Sequence, residues 1–277
     1  MSIHTGDLAM SIDTNDISRT MQETYDHYFL SDGYRRRYPE PNVATMTYLL
    51  EKGLAGVDQI LDFGCGNGRY SLALLEKSQA HLTAYDISAA SLTEFESRLR
   101  TTSHRERVTF VYDDLDGLNK YAYYDAILML FGVLSHVVER NLRLQTLHKM
   151  RSLIRADGKL ILSVPSVFRR RPWELFKYGL ARTLGHARPP QNEAGNIRFT
   201  RRIQRRNLTF FYHLYSLRTL REELAEAGFA ISEWQPESVF PEWLVTQSSL
   251  MRCIDQRLCS WIPAELGYGM RVLANPV

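Results

Sequence analysis

The sequence predicts a doubly wound α/β fold: a mostly parallel seven-stranded sheet with helices on both faces. Two features carry the prediction. Short apolar, β-branched runs alternate with longer amphipathic stretches, as repeated βα units do. The first of those runs opens directly into a glycine-rich turn, Gly64-Cys65-Gly66-Asn67-Gly68, with helix-forming sequence behind it.

Taken in order, two helices at 16–29 and 43–52 precede the sheet, separated by the polar, proline-bearing stretch 31–42. Strands then fall at 59–63, 81–85, 108–112, 124–130, 159–165, 229–234 and 270–274. Helices are expected between them at 69–77, 89–100, 139–154 and 217–227. Ser88 is a ready N-cap for the second of these, and Ala156-Asp157-Gly158 reads as the turn that ends the third. Two stretches break the alternation: 166–209 is basic and aromatic, and 241–267 is apolar with a helical pattern. The chain therefore divides into an N-terminal helical cap (1–54), a ligand-binding core (55–165), a basic cap insertion (166–216) and the end of the core (217–277), which carries the apolar insertion.

Hydrophobic residues at 44% and charged residues at 23% place the chain among globular proteins and speak against disorder or a membrane bundle. The first thirty residues hold Asp7, Asp13, Asp16 and Glu23 and no long apolar run, so no secretory signal is expected. Cys65, Cys253 and Cys259 have neither paired spacing nor a nearby histidine; a reducing cytoplasm is expected, and no metal site. The net charge of +3 conceals a division. Residues 1–150 hold 15 Lys/Arg against 20 Asp/Glu, residues 151–210 hold 14 against 3, and residues 211–277 hold 5 against 8. The positive charge is concentrated in the basic insertion.

The glycine turn suits a ligand lying over a helix N-terminus, where a Cβ would strike the ligand or forbid the turn. A dinucleotide fingerprint would place glycine at position 69, where this chain has Arg69. Asp86, at the end of the second strand, offers a carboxylate to the vicinal hydroxyls of a ribose. Asp113 and Asp114 end the third strand, where either could accept from an adenine amino group.

With three strand tips so matched, residues 55–165 resemble the class I S-adenosylmethionine-dependent methyltransferase family. Ile60 to Gly68 is similar to its first motif, Tyr85-Asp86-Ile87-Ser88 to its second, and Phe110 to Leu115 to its third. Tyr124 to Ile127 with Phe131 to His136 resembles its fourth, and Leu153 to Leu160 the segment before its fifth strand. The resemblance implies a sheet whose last strand is antiparallel, with S-adenosylmethionine spread across the strand tips. It places Asp62 and Gly64 near the methionine moiety, and Gly66 and Gly68 beneath the cofactor. Asp86 would hold the ribose and Asp114 the adenine amine, with Ile87, Leu115, Leu130 and Phe131 alongside. Tyrosines and arginines of the family's N-terminal helices often close over the cofactor carboxylate; of Tyr25, Tyr28, Tyr34, Arg37 and Tyr38, we select Tyr28 and Arg37.

Methyl transfer from a sulfonium is an in-line displacement, so alignment and exclusion of water are the main demands. His136, after the fourth strand, is the candidate base for an oxygen or nitrogen acceptor. The acceptor is expected to be a small molecule, an anionic one among the candidates. The basic insertion, with Arg169, Arg170, Arg171, Arg201, Arg202, Arg205 and Arg206 among aromatics, leaves two alternatives open: RNA, or a lipid at an anionic membrane surface. A looser similarity of Ser135-His136 and residues 211–215 to tRNA wobble-uridine methyltransferases belongs to the RNA reading. A cofactor-binding protein without catalysis is the remaining alternative.

Overall fold

The computed structural model describes residues 14–112, 115, 117–118, 123–186 and 193–277. Asp113 and Asp114, the expected adenine partners, lie outside the described residues. Strands β1 (Gln59–Phe63), β2 (His81–Asp86), β3 (Val108–Tyr112), β4 (Tyr124–Met129), β5 (Ile154–Pro165), β8 (Phe229–Ser238) and β9 (Gly269–Pro276) form one sheet. Its order is β3-β2-β1-β4-β5-β9-β8. Pairings from β3 to β5 are parallel, and β9 runs antiparallel to both β5 and β8. This is the mostly parallel sheet with an antiparallel last strand that the sequence predicted.

The strand alternation explains why helices cover both faces. Ile60, Leu82, Ala126 and Leu128 pack with Leu49 of α3 (Val43–Glu51), Leu74 of α4 (Arg69–Leu75) and Phe95 of α5 (Ala89–Leu99). Their neighbours Leu61, Ile127 and Met129 point the other way, onto Leu147 of α7 (Arg140–Leu153) and Leu220 of α9 (Leu217–Glu226). Ser88 caps α5 as expected, its Oγ accepting from Ser91 N at 3.2 Å. The chain leaves β1 toward β2 on one side and later returns through β4 on the other. That reversal opens a crevice at the strand tips, where ligands of such sheets bind.

Two details differ from the sequence expectation. Residues 154–158 do not form a turn; they enter β5 through an irregular register, with Tyr124 paired to Ile154 and Ala126 to Lys159. The basic insertion, beyond the helix α8 (Pro172–Thr183), is an antiparallel hairpin of β6 (Asn196–Ile203) and β7 (Arg206–His213). Ile197, Phe199, Phe210 and Tyr212 of the hairpin pack on Ile17, Met21 and Phe29 of α1 (Thr14–Leu30) in a third, aromatic-rich cluster. The apolar insertion is helical, as expected, as α10 (Glu242–Gln247) and α11 (Ser249–Cys259). Among the described residues, no helix is long and apolar enough to cross a membrane.

Candidate active site

A cavity of about 700 Å³ opens at the strand tips, lined by Gly64, Gly66, Asp86, Ile87, Leu115 and Leu130. Six residues selected from the sequence are thus brought together by the turn after β1 and the ends of β2, β3 and β4. Asp86 is fixed by the backbone: Oδ2 accepts from Gly66 N and Oδ1 from Ser88 N, each at 2.8 Å. A carboxylate has about four lone-pair sites, so acceptor capacity remains for a hydroxyl donor beside these amides and Ser91. Burial pushes this carboxyl up to about 6, against the hydrogen bonds from Ser88 and Gly66 that favour its ionised form.

Gly66 and Gly68 do different work. Gly66, at φ +55°, has Phe29 as its closest neighbour, 3.3 Å from where a Cβ would sit, and it borders the cavity. A Cβ on Gly68 would lie 2.1 Å from the Phe95 ring, so this glycine permits helix packing and does not border the cavity. Asp62 is also behind the cavity wall, accepting from Ser71 Oγ at 2.5 Å, and burial pushes it up to about 6.

At the end of β4 the backbone turns sharply. Phe131 adopts φ 62° and Gly132 φ 81°, held by hydrogen bonds from Phe131 N to Ser163 Oγ at 2.7 Å and from Gly132 N to Ser163 O at 2.9 Å. A left-handed phenylalanine is strained backbone that its surroundings must enforce; here it presents the ring to the cavity.

The structure places Tyr28 and Arg37 elsewhere. Tyr28 packs on Tyr34 and Phe210, and Arg37 lies over Tyr38 and Trp243. Tyr25, Phe29 and Tyr34 line the cavity in their stead. Sequence reasoning used Arg69 only to dismiss a dinucleotide, yet it is a central residue. It is buried beside Phe131, with its guanidinium carbon 4.9 Å from that ring. Its Nη1 donates to Glu242 Oε1 at 2.8 Å and to Glu40 O at 3.1 Å, while Nε and Nη2 have no partner. Glu242 belongs to the apolar insertion, so the signal lay in a pairing 173 residues long.

His136 lies between the cavity and the hairpin. Its Nδ1 is 3.2 Å from Phe211 O. A carbonyl only accepts, so Nδ1 carries the proton and Nε2 is the acceptor. Tyr25 OH, at 2.6 Å, donates to that Nε2. Burial, aided by Arg170 and Arg201 and opposed by the Phe211 hydrogen bond, pulls His136 down to about 3. The ring is neutral at physiological pH.

The basic insertion divides by strand alternation. Arg198, Arg202, Arg205 and Arg206 face solvent, as does Arg169 in the approach to α8. Arg201 follows Ile197 and Phe199 on the inward face, its guanidinium carbon 5.2 and 5.3 Å from the Phe199 and Phe210 rings. Arg170 stands against Tyr212 and Tyr268 at 4.9 and 4.7 Å. Neither inward arginine makes an ion pair among the described residues. Arg171 lies over Phe199 at 3.9 Å and pairs with Glu174.

A second polar cluster anchors the start of the hairpin. Glu193, His213 and Glu223 bring ligand atoms within 4.8 Å of one another, a donor set of the kind that could hold a cation. Arg143, fully buried, bonds both carboxylates, at 2.5 Å to Glu193 and 2.6 Å to Glu223, and meets that negative charge itself.

A family model described as "Methyltransferase domain" matches residues 60–158, the segment that builds this cavity. A Geobacillus sp. (strain WCH70) protein provisionally described as a methyltransferase is 23% identical over 121 residues, 44% of this chain and 48% of the relative. The match thus spans about half the length of that curated relative. The CcbJ methyltransferase of Streptomyces caelestis superposes with a TM-score of 0.61 at 12% identity, over 96% of this chain and 99% of that one. A Burkholderia thailandensis 1,6-didemethyltoxoflavin-N1-methyltransferase, solved with its substrate and S-adenosylhomocysteine, has a TM-score of 0.61 at 18% identity, over 96% and 91% of the two chains. At these identities the likeness establishes a shared fold.

Proposed function

We propose that this chain, whose residues 60–158 carry a methyltransferase domain, transfers the methyl group of S-adenosylmethionine to an oxygen or nitrogen of a small anionic acceptor. The observation that carries the cofactor half is Asp86, clamped by two backbone amides at the border of the cavity with acceptor capacity to spare for a ribose hydroxyl. Gly66 supports it: a side chain there would narrow a wall already in contact with Phe29. Ile87, Leu115 and Leu130 supply apolar surface for a purine. When bound, S-adenosylmethionine supplies the activated methyl group, and the sulfide departs as the acceptor attacks.

The chain's own residues then have to align the acceptor, whose proton passes to solvent. His136 offers an unprotonated Nε2 in a fixed tautomer. An acceptor O–H or N–H that takes the place of Tyr25 OH would donate to it, directing a lone pair at the methyl group. Its low basicity suits orientation better than storage of the proton. Arg170 and Arg201 favour an anionic acceptor: both stand among tyrosines close to His136, without an ion pair among the described residues. Partly buried guanidinium groups without a carboxylate are a natural seat for an acidic group.

Purified chain should be incubated with methyl-labelled S-adenosylmethionine and small-molecule fractions of a cell extract separated by charge. The label should appear in the acidic fraction, and Arg170→Met/Arg201→Met should abolish it while cofactor affinity stays unchanged. Label in neutral compounds alone would defeat the anionic assignment. Label in RNA, with binding that collapses on adding salt, would favour nucleic acid.

A further inference from the structure

Helices α8 and α11, from two different insertions, both turn their apolar sides outward. α8 has twelve residues and none of them is buried. Trp173, Phe176, Leu180 and Leu184 recur at helical spacing along one face, with Trp173 79% and Phe176 66% exposed. Isolated helices this short are marginal in water, where packing of an apolar face normally holds them. α11 is inverted. Its single buried residue is Asp255, whose Oδ1 accepts from Val239 N at 2.8 Å and Phe240 N at 2.9 Å. Leu250, Ile254 and Leu258 face solvent, followed by Trp261, which is 86% exposed.

The two elements are joined at their roots. Ser166 Oγ donates to Glu265 O, Ser166 N donates to Tyr268 O, and the Arg170 guanidinium lies over the Tyr268 ring. Exposed Phe168 and Leu266 flank this junction. Large apolar side chains exposed in clusters of this kind mark an interaction site.

Charge identifies the occupant. Arg169 and Lys177 are exposed among the α8 aromatics, and Arg252 and Arg257 lie on α11, whose one carboxylate, Asp255, is buried. A second copy docked through the same face would press these basic side chains against one another. An anionic lipid surface meets both requirements: tryptophan and phenylalanine settle at the headgroup boundary, and each nearby Lys or Arg gains from the anionic leaflet.

We propose that α8 and α11 together dock this chain onto an anionic bilayer surface. The proposal does not depend on the methyl-transfer reading. Full-length chain should be floated with vesicles of phosphatidylcholine alone and with vesicles of phosphatidylcholine and phosphatidylglycerol in equal parts. It should rise with the anionic vesicles only, and added salt should weaken the association. Trp173→Glu/Phe176→Glu and, separately, Trp261→Glu should each weaken binding at least about tenfold. Arg169→Glu/Lys177→Glu should do the same without altering any apolar residue. These positions are exposed, so thermal unfolding should be unaltered. Absence of binding to the anionic vesicles, equal binding to both kinds, or variants that bind like wild type would overturn the proposal. A dimer dispersed by Trp173→Glu, without vesicle binding, would assign the face to a second copy and overturn it equally.

Discussion

Replacing Arg143 with methionine tests whether the ionic cluster under the hairpin holds the cap to the core. Arg143 is fully buried on α7 and reaches Glu223 of α9, Glu193 before β6 and the carbonyl of Val138 at 2.6 Å. Methionine keeps the bulk and removes every donor. Glu223, 3% exposed, would then keep only the Tyr215 hydroxyl, 2.7 Å away. An uncompensated buried carboxylate of this kind costs about 3–5 kcal/mol. For a chain of this size that lowers the unfolding temperature by roughly 10 °C. Calorimetry should show the drop, and Arg143→Met/Glu223→Met should recover most of it, because the carboxylate that still loses its arginine, Glu193, is 30% exposed and reaches water. A single-variant cost under about 1 kcal/mol, or a double variant as unstable as the sum of its parts, would refute the reasoning.

Three further outcomes follow. Tyr25→Phe takes the donor from the partly buried His136 Nε2, so stability should fall by about 1 kcal/mol in thermal melts; an unchanged melt would mean the 2.6 Å contact contributes nothing. Asp86 is pushed up to about 6 and must be ionised to accept from a ribose, so cofactor affinity by calorimetry should fall as pH drops below about 6; Asp86→Asn should bind weakly at every pH, and a pH-independent wild type would contradict this. His136 is pulled down to about 3, so its contribution to stability is full above its ordinary value of about 6.5 and is lost as pH falls toward 3; His136→Asn should flatten that acid limb in melts across pH.

The fold was readable because its signals are local. A five-residue apolar strand followed by glycines with forced positive φ has few structural uses, and Asp86 ends the next strand. What escaped depends on distant partners. The alternation Ile197, Phe199, Arg201, Ile203 is a strand pattern, but the arginines around it disguised the apolar face that meets α1. Tyr25 and Phe29, one helical turn apart, reach the cavity while Tyr28 turns to Phe210; that choice rests on the hairpin, which the local sequence of α1 does not reveal. Gly68 matched the expected motif, yet its stated reason changed: it makes room for Phe95, and Gly66 alone of the two borders the cavity.

The central claim is that the β1 and β2 tips hold S-adenosylmethionine, and calorimetric titration of wild type, Gly66→Val and Asp86→Ala tests it most directly. Wild type should bind. Asp86→Ala removes the acceptor for a ribose hydroxyl and should lose about a hundredfold in affinity. Gly66→Val places a branched side chain at φ +55°, against Phe29, and should bind no measurable cofactor while its circular dichroism retains the α/β signature. Wild-type affinity in both variants would contradict the account.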